Sequence, residues 1–278
     1  MDYLKISFQI EPREPWTEIL IDALADAGFE SFTEDHEQLQ AYIPQRDFQQ
    51  SDLDHLIAEY KQRDVSIAYS EEVIPAQNWN AVWESDFDPV QVNNRLFIRA
   101  PFHSPNNQCD LEIVIQPKMS FGTGHHQTTF LLAQVMLAMN FEHKKVLDVG
   151  TGTGVLGILA AKMGASSIIG TDIEPGAIEN AKENIERNAV ENFTVLEGDI
   201  DILPPDDYDI IIANINKNVL QSHFGTYADL IKKGGRLLLS GFFEADVAEM
   251  SDSAREYGFT TKEIYNYETW AVLLCEKN

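Results

Sequence analysis

A chain of 278 residues is long enough for one large domain and a small one, and 44% hydrophobic residues suffice to fill both cores. Forty-five acidic against 20 basic residues leave a formal net charge of -25, which argues against direct nucleic-acid binding, since such surfaces rest on clustered Lys and Arg. No apolar run approaches the roughly 20 residues that cross a bilayer, and "MDYLKISFQI" has no basic segment followed by an apolar core. Cys109 and Cys275 are too few and too far apart for a disulfide framework or a cysteine zinc site. The expectation is a soluble, cytoplasmic, monomeric protein, with no membrane and no metal. Its charge would suit a basic protein partner, or serve solubility alone.

Residues 1–75 read as βαββαβ. "YLKISFQI" alternates as a strand; "PWTEILIDALADAGF" sets Ile19, Leu20, Ala23, Leu24 and Ala27 on one helical stripe, with Gly28 as a stop. "SFTED" and "QLQAYIP" form a strand pair, "DLDHLIAEYKQR" is a helix with Leu53, Leu56, Ile57 and Tyr60 inward, and "VSIAYSEEV" is a strand. That order predicts a small ferredoxin-like α+β domain. It carries no glycine loop and no titratable cluster, so recognition or packing is its expected role.

A linker is expected over 76–95, in which Trp79 and Trp83, four apart, read as a packed hinge element. Two strand-like runs follow, "RLFIRAPF" and "DLEIVIQP", and then "KMSFGTGHHQTTFLLAQVMLAM", a glycine-bearing loop that runs into an amphipathic helix. From Lys145 strand and helix alternate: strands at 145–149, 167–171, 193–197, 208–213 and 236–240, helices near 154–163, 175–188, 218–232 and 244–257. The tail "FTTKEIYNYETWAVLLCEK" has two strand-like halves and no helix, hence an antiparallel hairpin. The second domain, 96–278, is thus an α/β doubly wound sheet closed by a hairpin, the Rossmann-like layout of class I S-adenosylmethionine-dependent methyltransferases.

The first turn of that sheet carries two overlapping glycine patterns in "KVLDVGTGTGVLGILAAKMG". Gly152, Gly154 and Gly157 read G-x-G-x-x-G, which would cradle a pyrophosphate; Asp148, Gly150, Gly152 and Gly154 read D-x-G-x-G-x-G, in which a carboxylate favours a cationic ligand and repels pyrophosphate. Further acidic or amide residues follow successive strands on the same edge. Asp172, 22 residues after Gly150, is placed to accept from ribose hydroxyls of either nucleoside; Asp199 follows the third strand and Asn214 ends the fourth. Asp199 as a turn former and Asn214 as a helix cap are equally open readings of those two positions. The set as a whole favours a methyl donor.

"FGTGHHQTT" (121–129), "VLDVGTGTGVLGI" (146–158), "GTDIEPGAIENAKEN" (170–184) and "IIANI" (211–215) closely resemble the PrmA family, the methyltransferases of the eleventh protein of the large ribosomal subunit. The resemblance covers essentially the whole chain, and its F-G-T-G-x-H-x-T-T loop is specific. It implies S-adenosyl-L-methionine as cofactor, with Thr129, Gly150, Asp172 and Asn214 at cofactor-contacting positions and Phe121 and His126 in a loop that closes over the methyl donor. Gly152, Asp148 and Asp199 join the expected cofactor set from the glycine loop and the third strand. The resemblance also implies methyl transfer to an α-amine and to lysine ε-amines of a basic ribosomal protein gripped by the N-terminal domain.

Asn214 is the candidate for orienting the amine, and His126 a candidate for closing the loop or accepting a proton through water. His125 and His126 are adjacent and diverge, which does not suit zinc. A nucleic-acid base methyltransferase would carry [DN]-P-P-[YF] after the fourth strand, where this chain has "NINK". The residues leave two rivals open, a small-molecule N-methyltransferase and a non-enzymatic scaffold that binds the same cofactor.

Overall fold

A computed structural model describes residues 2–35, 38–74, 87–106, 108–118, 120–203 and 206–278. Trp79 and Trp83, the expected hinge, lie outside the described residues. The chain divides into two compact units, Met1–Asp86 and Phe87–Asn278. Among the described residues no helix is long and apolar enough to cross a membrane.

The first unit contains β1 (Tyr3–Glu11), α1 (Trp16–Asp26), β2 (Ser31–Glu34), β3 (Leu39–Pro44), α2 (Gln50–Lys61) and β4 (Ser66–Ile74). The sheet order is β2-β3-β1-β4, antiparallel throughout. Alternation along β1 buries Leu4, Ile6, Phe8 and Ile10, against Leu20 and Leu24 of α1 and Leu53, Ile57 and Tyr60 of α2. Each such side chain contributes about 1.5–3 kcal/mol by leaving water. The expected α1 stripe is narrower than its sequence suggests: Leu20 and Leu24 face inward with Thr17, Ala23 is half-buried, and Ile19 and Ala27 are exposed. The sheet meets only one narrow side of this short helix, so the stripe follows i, i+3, i+7 from Thr17.

The second unit opens with β5 (Val90–Val92), inside the stretch expected to be linker, followed by β6 (Leu96–Arg99) and β7 (Leu111–Val114). β5 pairs antiparallel and β7 parallel with β6. Helix α3 (Gln127–Leu137) follows. It is buried at Thr128, Thr129, Leu131, Leu132, Ala133, Val135, Met136 and Leu137, so it is an apolar helix covered on most sides rather than an amphipathic one.

The main sheet is built from β8 (Lys145–Val149), β9 (Ser167–Asp172), β10 (Phe193–Glu197), β11 (Tyr208–Asn214), β12 (Ile231–Phe243), β13 (Phe259–Tyr267) and β14 (Trp270–Lys277). Its seven strands run in the order β10-β9-β8-β11-β12-β14-β13. β14 pairs antiparallel with both β12 and β13, so the expected terminal hairpin is present with its second strand inserted in the sheet. The helices are α4 (Val155–Lys162), α5 (Pro175–Arg187), α6 (Lys217–Ser222), α7 (Phe224–Leu230) and α8 (Val247–Glu256).

Two boundaries differ from the sequence expectation. The helix expected at 218–232 is broken at His223, which closes α6 and precedes α7. The strand expected at 236–240 begins at Ile231, because the chain resumes pairing there and absorbs the register change between Ile231 and Arg236 around Gly234, at φ 74°. The strand order reverses between β8 and β11, and in such sheets a crevice opens outside the carboxyl ends at that point.

Candidate active site

The turn from β8 into α4 is shaped by glycines in the left-handed region. Gly150 has φ 69° and Gly152 φ 54°; a Cβ on the first would meet Ile215 Cγ2 at 2.2 Å, and on the second the Phe121 carbonyl oxygen at 2.3 Å. The glycines therefore let two other segments close on the turn. Asp148 lies beneath it. It is 2% exposed, and its Oδ2 accepts from Thr151 Oγ1 at 2.6 Å and from the Gly157 N–H at 3.1 Å. Burial pushes this carboxyl up to about 6, against the lowering effect of those two donors. The residue expected to meet a cation thus braces the loop from inside.

Asp172 ends β9 and faces the same turn. Its Oδ2 accepts the Gly152 N–H at 2.9 Å and its Oδ1 the Glu174 N–H at 3.0 Å. Each oxygen keeps a second lone pair for a ligand. Asp199, after β10, accepts the Ile200 N–H at 2.6 Å through Oδ1 and caps a short 3-10 turn, as a turn former does.

Asn214 ends β11. Asn216, not Asn214, caps α6, through the Asn218 N–H at 3.0 Å. Asn214 Nδ2 donates to Thr129 Oγ1 at 3.3 Å, while Asn214 Oδ1 is buried without a partner. Thr129, 1% exposed on α3, acts here as the acceptor that orients the Asn214 amide.

The F-G-T-G loop is tied to the glycine turn: the Thr153 N–H donates to the Phe121 carbonyl at 3.0 Å and Thr153 Oγ1 to the Gly122 carbonyl at 2.6 Å. Phe121 is left 51% exposed at the rim. His126 caps α3, its Nδ1 accepting from the Thr128 N–H at 3.3 Å, and its ring stands between Phe121, centroid 5.0 Å away, and Trp270, at 4.9 Å. The His125 ring turns elsewhere, to the Asp88 carbonyl at 2.7 Å and Thr123 Oγ1 at 3.1 Å.

A cavity of about 620 Å³ runs along this strand edge, a size suited to a nucleoside-bearing ligand. Phe121, Gly150, Gly152, Asp172, Asp199 and Asn214 line it; Asp148, Thr129 and His126 do not. The wall also contains Ser120, Ile173, Glu174, Val219 and His223, which sequence reasoning missed. An apolar residue directly after the acidic end of β9 was the available signal for Ile173, 66% exposed. Carboxylates line this cavity and, among the described residues, neither Lys nor Arg does. Those acceptors suit a ligand bearing a sulfonium and an ammonium better than a pyrophosphate, which favours the second of the two glycine patterns.

The sheet and this crevice define a class I methyltransferase that uses S-adenosyl-L-methionine. The model of the ribosomal protein L11 methyltransferase (PrmA) family matches residues 13–278, and the chain belongs to that family. A ribosomal protein L11 methyltransferase of Porphyromonas gingivalis is 38% identical over 281 residues, 98% of this chain and 97% of that protein. One from Chlorobaculum tepidum is 33% identical over 285 residues, 100% of this chain and 98% of that protein. The solved ribosomal protein L11 methylase of Lactobacillus delbrueckii subsp. bulgaricus shares the fold at a TM-score of 0.64 and 24% identity, covering 69% of this chain and 100% of that one.

Proposed function

We propose that this enzyme methylates ribosomal protein L11 on its α-amino group and on lysine ε-amino groups, with Asn214 orienting the reacting nitrogen. The family name and the names of the relatives support the substrate. The observation that carries the site reading is the buried, unpartnered Oδ1 of Asn214 beside the cavity, with the amide held by Thr129. A buried acceptor left open is costly unless a ligand donor meets it, and an amine N–H is such a donor.

When bound, the cofactor supplies a methyl group on an electrophilic sulfonium. Asp172 takes the ribose hydroxyls, Asp199 the adenine amino group, and the glycine turn lets backbone approach closely. Phe121 covers the mouth and excludes water. The amine must be neutral to attack; free lysine titrates near ~10.4 and an α-amine near ~7.7–8.0. Withdrawal from water beside a cationic sulfonium disfavours the ammonium form, so desolvation and orientation replace a dedicated base. His126, with Nδ1 engaged by Thr128, holds the loop.

Incubation with ribosomal protein L11, ribosomal RNA and small amines, read by mass spectrometry across pH, tests this. Methyl groups are expected on L11 amines, with the α-amine reacting at lower pH than lysine, and methylation of RNA alone overturns the substrate. His126→Ala should retain measurable turnover; complete loss with cofactor affinity intact would make His126 the base.

A further inference from the structure

We infer that His223 is a positioning residue for cofactor recognition: it holds Asp199 so that one carboxylate oxygen is presented to the adenine amino group. This rests on the reading that Asp199 meets that group. His223 is 7% exposed, lines the cavity, and stands at the break between α6 and α7. Its N–H reaches the carbonyls of Val219 and Leu220, both at 3.2 Å, and its carbonyl accepts the Tyr227 N–H at 2.8 Å. The backbone on both sides of the ring is thereby fixed.

Its Nε2 lies 3.3 Å from Asp199 Oδ1. Facing a carboxylate, Nε2 is the ring nitrogen that carries hydrogen. Oδ1 accepts the Ile200 N–H at 2.6 Å, so both contacts fall on one oxygen and Oδ2 is left for the ligand. The Asp199 side chain is 48% exposed, held by that one local hydrogen bond and by the imidazole beside it. The arrangement is costly: His223 Nδ1 and the Tyr227 hydroxyl are both buried without partners, with the two rings 5.8 Å apart. An apolar ring would fill this place without orphaned atoms. What the imidazole adds is a polar ring nitrogen 3.3 Å from the Asp199 carboxylate.

The full chain and its variants are titrated calorimetrically with S-adenosylhomocysteine and with S-inosylhomocysteine, which carries a carbonyl in place of the amino group. The unaltered protein should prefer the adenosyl ligand by about tenfold or more. His223→Phe should cut that preference roughly three- to tenfold, through the adenosyl ligand, and His223→Gln, which keeps an N–H near the position of Nε2, should restore most of it. His223→Leu replaces the Phe variant if the latter does not fold. Equal weakening of both ligands, or an unchanged preference, overturns the inference. Asp199→Ala, which removes the acceptor, separates the two readings: if it abolishes the preference while His223→Phe does not, only the role of His223 fails, and if it leaves the preference intact, the Asp199 reading fails first.

Discussion

Asp148 is a carboxylate that braces a turn from a place water does not reach. Desolvation raises its folded-state value to about 6, above the ordinary carboxyl range, so folding favours the protonated form. The stability this contributes is fully present below about pH 4 and is lost as pH rises through about 6. Relative to Asp148→Asn, the cofactor-free protein should therefore lose on the order of 3 kcal/mol between about pH 4 and 7. Denaturant unfolding of both proteins across that range checks it, and a pH-independent difference would show that Asp148 does not titrate as described. Asp172 works on the open side of the same turn, so Asp172→Ala should weaken cofactor binding by about 1.5–3 kcal/mol. Calorimetry reads this directly, and unchanged affinity removes Asp172 from the site.

Elements meet at the crevice where side chains of one bond to backbone groups of another. Helix α5 and its C-cap present Asn180, Asn184 and Asn188, at four-residue spacing, to β7 and the segment that runs from it toward the F-G-T-G loop. Asn184 accepts the Gln116 N–H at 2.8 Å and donates to the Thr153 carbonyl at 2.9 Å, tying that strand to the glycine turn; Asn188 takes the Val114 N–H at 2.9 Å and donates to the Val114 carbonyl at 2.7 Å. Asn184→Ala should leave both of its backbone partners unsatisfied and cost about 3 kcal/mol. Chemical unfolding measures this, and a loss below about 0.5 kcal/mol would mean that water replaces the amide. Asn180 and Asn184 are buried and Asn188 half-buried, because a strand edge needs donors and acceptors that an apolar face lacks.

At the scale of the whole molecule, the proposed chemistry sits in one compact unit, Phe87–Asn278, and the acidic βαββαβ unit holds none of it. Residues 87–278 alone are expected to bind S-adenosyl-L-methionine with unchanged affinity and to lose methylation of ribosomal protein L11. Calorimetry with a methylation assay checks both, and retained turnover on L11 would show that the first unit is not the recognition element.

Periodicity, turn residues and spaced carboxylates determined the βαββαβ order, the doubly wound sheet, the hairpin and the pocket residues Gly150, Gly152, Asp172, Asp199 and Asn214, because each is written locally in side-chain spacing. Tertiary packing alone decided that Asp148 and Thr129 work from behind the cavity, that α3 is buried on most sides, and that His223, at the break between two helices, lies 3.3 Å from Asp199. Those outcomes depend on which buried donor meets which acceptor once distant segments close, and one-dimensional spacing carries no record of that pairing.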